Sequence, residues 1–104
     1  MAVTVTIGRN VGDDLNTRPM TFVRWEHFQQ DVLDLVEVFT DRVYFTGEGH
    51  GYSERWGSEE AFTVVSPDLP PDRSRYSFEQ NLAGVARYYG QEAVAVTYGT
   101  TVFV

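Results

Sequence analysis

The chain of 104 residues contains no cysteine and no lysine. Without thiols it has neither a disulfide framework nor a thiolate metal site, so the redox state of its compartment leaves no mark on it. Without lysine, all eight basic residues are arginine, set against fifteen acidic ones for a formal net charge of -7. That balance repels phosphate backbones. With Arg73 and Arg75 as the only close pair of cations, nucleic acid is not an expected partner. The acids are spread along the chain, as on solvated faces, and are not gathered in a DNA-mimicking tail. Long apolar runs are missing too. Nowhere do about 18 apolar residues follow one another, and M-A-V-T-V-T-I-G-R-N has no basic region ahead of an apolar one. The expectation is a cytoplasmic protein with no membrane partner.

The length fits one domain over residues 1–104, large enough to bury roughly two-thirds of its unfolded surface. V-T-V-T-I-G alternates with the period of a half-buried strand, Val3, Val5 and Ile7 on one face and Thr4 and Thr6 on the other. A polar, turn-rich segment follows, and Thr21 stands where a helix N-cap would. Trp25, Phe28, Val32, Leu35 and Phe39 then recur at three- and four-residue steps, the signature of a long amphipathic helix. R-V-Y-F-T reads as a second strand with Val43 and Phe45 inward, and E-E-A-F-T-V-V-S as a third with Phe62 and Val64 inward. After the stiff turn P-D-L-P-P-D, a second helix is expected with Ser74 or Ser77 as cap. Phe78, Leu82, Val85 and Tyr89 form its stripe, and Gly90 is its stop. Q-E-A-V-A-V-T-Y is the last main strand, with T-T-V-F-V extending it or forming a short extra one.

This order is the split βαβ pattern of α+β, ferredoxin-like βαββαβ folds. Two right-handed crossovers then give an antiparallel four-stranded sheet ordered 4-1-3-2 with both helices on one face. Such a topology gathers the end of the first strand, the hairpin between the second and third, and the start of the fourth. The stretch G-E-G-H-G-Y-S-E-R-W-G, Gly47 to Gly57, is thereby expected beside Arg9, Asn10, Asp13, Asp14, Gln91 and Glu92.

The candidate ligand-binding residues at that edge are Arg9, Asn10, His50, Tyr52, Arg55, Trp56 and Glu92. Arg9 and Arg55 can grip a carboxylate or phosphate bidentately, and Tyr52 or Trp56 can stack on a planar group. The bland alternative is that the arginines only neutralise Glu54, Glu92 and Asp13. G-R-N-V-G lacks both G-x-G-x-x-G and the Walker lysine, and reads better as a turn than as a phosphate cradle. His50 with Glu48 or Glu54 can serve as an acid-base set, although a histidine between glycines is commonly just exposed. His27, with Asp31 one turn later, reads as a solvated pair. No metal site, cofactor motif or Ser-His-acid arrangement is legible, so no residue is assigned a catalytic role.

The sheet face away from the helices is assigned Thr4, Thr6, Tyr44, Ala61, Thr63, Val65, Ala93, Ala95 and Thr97, none of them charged. A solvated sheet face carries charge, so this one points to a homodimer formed through it. V-T-V-T-I-G-R-N-V-G at one end and Y-Y-G-Q-E-A-V-A-V-T at the other resemble small uncharacterised accessory proteins of actinobacterial tailed phages. They are also similar to related bacterial βαββαβ domains of unknown function. R-W-x-x-F in the first helix and S-E-E before the third strand extend the likeness. The resemblance implies a cytoplasmic anti-defence or host-interaction protein, and carries no catalytic residues with it. The leading expectation is thus a non-enzymatic binding protein that engages a host protein or sequesters a small anionic, nucleotide-like ligand. The alternative is a small enzyme of the dimeric α+β barrel type using the His50 and glutamate set.

Overall fold

The computed structural model describes residues 2–12, 17–40, 43, 45–53, 57–99 and 101–104. Its first strand, β1 (Val3–Gly8), buries Val3, Val5 and Ile7 and leaves Thr4 and Thr6 half-exposed, as the alternation requires. The two described ends of the turn-rich segment after it pair with each other. Asn10–Val11 (β2) pairs antiparallel with Arg18–Pro19 (β3), a two-strand ribbon whose outer edge tolerates proline because no ladder bond is needed there. Thr21 then caps α1 (Phe22–Thr40), its Oγ1 accepting the Arg24 N–H at 3.4 Å.

The buried stripe of α1 is Trp25, Phe28, Val32, Val36 and Thr40, with Leu35 and Phe39 on its flank. Thr40 is tolerated there because its hydroxyl donates to the Val36 carbonyl at 2.6 Å. Helix α2 (Asp72–Tyr88) starts earlier than its serines imply. Pro71, at φ -54° and ψ 144°, occupies the cap position without a side-chain bond, so neither Ser74 nor Ser77 is the cap. A proline with fixed φ leads straight into a first turn whose Asp72 suits the helix dipole. At the other end Gly90 takes φ 81°, its N–H bonds Arg87 O at 3.1 Å, and the Gln91 N–H bonds Ala86 O at 2.8 Å. This double closure is a Schellman motif, and it delivers Gln91 and Glu92 to the start of the next strand.

Strands β4 (Phe45–Ser53), β5 (Gly57–Ser66), β6 (Ala95–Thr97) and β7 (Thr101–Phe103) complete an antiparallel sheet in the order β4-β5-β1-β6-β7. The α+β class holds, while the expected four-stranded sheet becomes five-stranded. Gly99, at φ 124° where a side chain is strained, turns the chain so that T-V-F pairs back on β6. The glycine-rich stretch, too long for a hairpin loop alone, extends the strands as the paired stem of β4 and β5, from Gly47 opposite Thr63 to Ser53 opposite Gly57. Its glycines pass in the ladder because the backbone supplies every bond.

In the register Phe45 pairs with Val65 and Thr46 with Val64. Val43 packs against the core as expected, while the side chain of Phe45 lies outside those described. One apolar cluster, with Phe28, Phe78 and Leu82 at its centre, joins both helices to the Val5, Val64 and Val96 side of the sheet. Phe28 stacks on Tyr89 with centroids 4.8 Å apart, and Phe39 meets Phe78 at 5.4 Å across the helix pair. Among the described residues no helix is long and apolar enough to cross a membrane.

Candidate active site at the open end of the sheet

β5 outruns β1, and past Gly8 the central strand bends into the small ribbon. This leaves the stem of β4 and β5, the ribbon and the Gly90–Ala93 approach to β6 around one end of the sheet. Strand alternation sends the neighbouring acids of β5 to opposite faces. Glu60 lies on the side of Phe62 and Val64, and Glu59 on the open side with Ala61 and Thr63.

On the first side, Arg9 is fully engaged. Its Nη1 pairs with Glu60 Oε2 at 3.0 Å, its Nε donates to Met20 O at 2.8 Å, and its backbone N–H donates to Glu60 O at 3.0 Å. Arg9 thereby pins the ribbon to β5. Among the described residues the carboxylate that Arg9 meets is Glu60. His50 is exposed on β4, opposite Glu60 in the ladder. With Arg9, Asn10, Arg18, Glu59 and Glu60 it borders a shallow cleft of about 390 Å³, and with Trp25, Glu48 and Glu60 a neighbouring one. Glu48 pairs with Phe62, so it shares the face of His50 and Glu60.

On the open side is a cleft of about 260 Å³ lined by Asn10, Val11, Gly12, Glu59, Gly90, Gln91, Glu92, Ala93 and Phe103. The Glu59 carboxylate accepts the Asn10 backbone N–H on Oε2 at 2.8 Å. The Gln91 side-chain amide donates to the Asn10 carbonyl, tying the end of α2 to the ribbon. Phe103 is 74% exposed at the rim, where its ladder position beside Ala95 puts it on the open face. The described lining therefore has two carboxylates, two carboxamides and an exposed ring, with no cation. Such a surface accepts hydrogen bonds, offers an aromatic face and favours positive charge.

Beneath it, the Tyr89 hydroxyl donates to Asp31 Oδ2 at 2.5 Å. Burial, followed by that bond and the charge of Asp31, pushes Tyr89 up to about 12, so this link between the helices stays protonated at any physiological pH.

The expected site residues are thus partly assembled. Arg9, Asn10 and His50 meet around one cleft, and Asn10 and Glu92 around the other. Tyr52 falls opposite Ser58 in β4, and its side chain is outside those described. Arg55 and Trp56 lie outside the described residues, as do Asp13, Asp14, Tyr44 and Glu54. Glu59, Gln91 and Phe103 were not singled out as site residues. Glu59 was legible in part, since E-E entering an alternating strand must send one carboxylate to each face. Phe103 was not, because its position depends on the fifth strand.

Neither a protein-family model nor a curated protein sequence matches the chain. Two solved structures share its fold over nearly its whole length. A phage SAM lyase in its apo state superposes with a TM-score of 0.67 at 16% identity, over 99% of this chain and 86% of that one. A phage SAM lyase in complex with S-methyl-5'-thioadenosine gives 0.62 at 17% identity, over 99% and 87%. At such identities the likeness is one of fold. It nevertheless overturns the leading expectation of a non-enzymatic binder, because both matched structures are of a lyase. The comparison favours the enzyme alternative, though not its His50 and glutamate set.

Proposed function

We propose that the chain is a lyase acting on an adenosyl sulfonium of the S-adenosylmethionine class, and that the open-side cleft is its active site. The observation that carries this is the character of that cleft: acidic and aromatic-rimmed, with no cation among its described lining residues, on the fold shared with phage SAM lyase. A ligand with a positively charged sulfur and a planar base matches it, and a phosphate does not.

The chemistry asks little of the protein. A sulfonium is its own leaving group. The bond between sulfur and the amino-acid chain breaks, its electron pair goes to sulfur, and neutral S-methyl-5'-thioadenosine results. The four-carbon fragment is completed in one of two ways. Its own carboxylate closes on the carbon that sulfur leaves, or it gives up a neighbouring proton and forms an alkene. Both routes balance without water or a redox partner, and the first needs no protein base. Catalysis then rests on holding the chain in a reactive conformation and excluding bulk water. In this reading Glu59 and Glu92 hold the cationic part of the substrate, Phe103 offers its ring to the base, and Gln91 keeps the ribbon wall in place through Asn10. His50 and Glu48, on the other side of the β4 and β5 stem, are outside the reacting centre.

A protein of this activity, carried by a phage, would act in the host cytoplasm by depleting a methyl donor. We further propose self-association as a homodimer through the uncharged part of the open face beyond Glu59, on which Thr4, Thr6, Ala61, Thr63, Val65, Ala95 and Thr97 are only half-buried. Incubation of the purified protein with S-adenosylmethionine, followed by chromatography and mass spectrometry, tests the activity. Stoichiometric S-methyl-5'-thioadenosine, formed far more slowly by Glu59→Gln, is the expected result. Intact S-adenosylmethionine after hours with equimolar protein would reject the reading.

A further inference from the structure

This inference rests on the reading of the open-side cleft given above. Gly8 closes β1 opposite Ala61, so Glu59, two residues along β5, stands on the same face as Gly8 and beside it. A Cβ placed on Gly8 would lie 2.4 Å from Glu59 Cδ and 2.5 Å from each carboxylate oxygen. The carboxylate occupies the volume that any side chain at position 8 would fill. Gly8 is an ordinary strand residue, outside the left-handed region adopted by Gly12, Gly90 and Gly99, so the backbone does not demand glycine here. The close approach does.

The second restraint is chemical. The Asn10 N–H holds Oε2, and among the described residues no donor bonds Oε1. Space above Gly8 and one hydrogen bond together set the carboxylate flat against the end of β1, at the lining of the open-side cleft.

We infer that Gly8 is a positioning residue: by lacking a side chain, it lets Glu59 present a carboxylate oxygen to a cationic group in the cleft. The atoms that a Cβ would strike are the far end of a flexible side chain, so Gly8→Ala keeps the fold and moves the carboxylate. A purely structural glycine would do the reverse.

The experiment is a nitrogen-resolved NMR titration with trimethylsulfonium, which carries the charge and nothing else. In the wild type the Asn10 amide shifts in a saturable way. In Gly8→Ala, whose melting curve is nearly unchanged, that shift is lost, and shortening the acid in Gly8→Ala/Glu59→Asp restores part of it. Calorimetry then compares S-methyl-5'-thioadenosine with its S-methylated sulfonium, a pair differing only in one methyl group and the charge. Wild type favours the sulfonium by about tenfold, as a charge-assisted contact allows, and Gly8→Ala brings the two within about twofold without weakening the neutral ligand. Equal trimethylsulfonium responses in wild type and Gly8→Ala, or no response in either, overturn the inference. A Gly8-dependent response with neither adenosine compound bound leaves the role of Gly8 standing and rejects the adenosyl reading instead.

Discussion

Glu59 and Glu60 are neighbours in the chain with opposite fates. Glu60, on the helix side, meets Arg9 at 3.0 Å and helps fasten the ribbon of β2 and β3 to β5. Glu59, on the open side, accepts one backbone N–H, pairs with no cation among the described residues, and lines both the cleft of Arg9 and Arg18 and an open-side cleft whose described lining has no cation. The same contrast runs the length of the sheet. Val3, Val5 and Ile7 are almost wholly buried beneath the helices, while Thr4 and Thr6 between them remain half-exposed. The helix-covered face spends its residues on the fold. The open face spends few, and it is there that an unneutralised acid stands beside a cavity.

The largest effect expected on the covered face is that of Phe28→Ala. Phe28 is fully buried, stacks on Tyr89 and meets Trp25 edge-on at 6.1 Å. Removing the ring should cost about 3–5 kcal/mol. Chemical denaturation measures this, and an unshifted midpoint would show that the covered face does not carry the stability assigned to it.

Next in size is the functional split between the two acids. Glu59→Gln should lower kcat/KM for S-adenosylmethionine by about 100-fold, equivalent to about 2.7 kcal/mol of transition-state stabilisation. Glu60→Gln should change it less than threefold or so, and cost the fold under about 1 kcal/mol, because an exposed ion pair contributes little and Arg9 keeps its bond to Met20. Equal losses in both variants would erase the distinction between the faces.

The open face makes a smaller prediction about assembly. Thr63 bonds Thr6 across the strands, hydroxyl to hydroxyl at 3.2 Å, in the middle of an uncharged surface. In the proposed dimer, Thr63→Arg buries an unpaired cation and should weaken association at least about tenfold. Light scattering at tens of micromolar decides it. A single-chain mass for both wild type and variant would reject the dimer and leave this face to another partner.

How much of this was legible beforehand follows the same division. The covered face announces itself through period. V-T-V-T-I fixes β1, the Trp25, Phe28 and Val32 steps fix α1, and Gly90 marks the end of α2, because burial imposes a repeat that a single chain can display. The open end has no such repeat. Arg9 could not be seen to face Glu60, since that pairing depends on register across 51 residues. In G-E-G-H-G-Y-S the glycines hide the alternation of a strand, so its length showed that part of it extends the strands but not how far the pairing runs. The cleft itself needs Phe103 from a fifth strand and Gln91 from a helix terminus, a convergence that spacing along the chain does not encode.

The smallest predicted effect probes the far margin of the covered face, where Tyr89 closes the seam between the helices. Its hydroxyl bonds Asp31, and burial raises it to about 12 against 10.0 for an ordinary tyrosine. Between those values the unfolded chain has released the proton and the folded chain still holds it. The stabilisation is therefore complete below about pH 10 and falls away as pH rises towards 12. Tyr89→Phe keeps the stacking on Phe28 and loses only the hydrogen bond, which should cost about 1 kcal/mol at neutral pH. It should also flatten the decline of melting temperature between pH 10 and 11.5, relative to wild type. A variant that loses stability with pH as steeply as wild type would place the alkaline transition elsewhere. The burial of Tyr98, which also stands at about 12, makes that residue the next to replace.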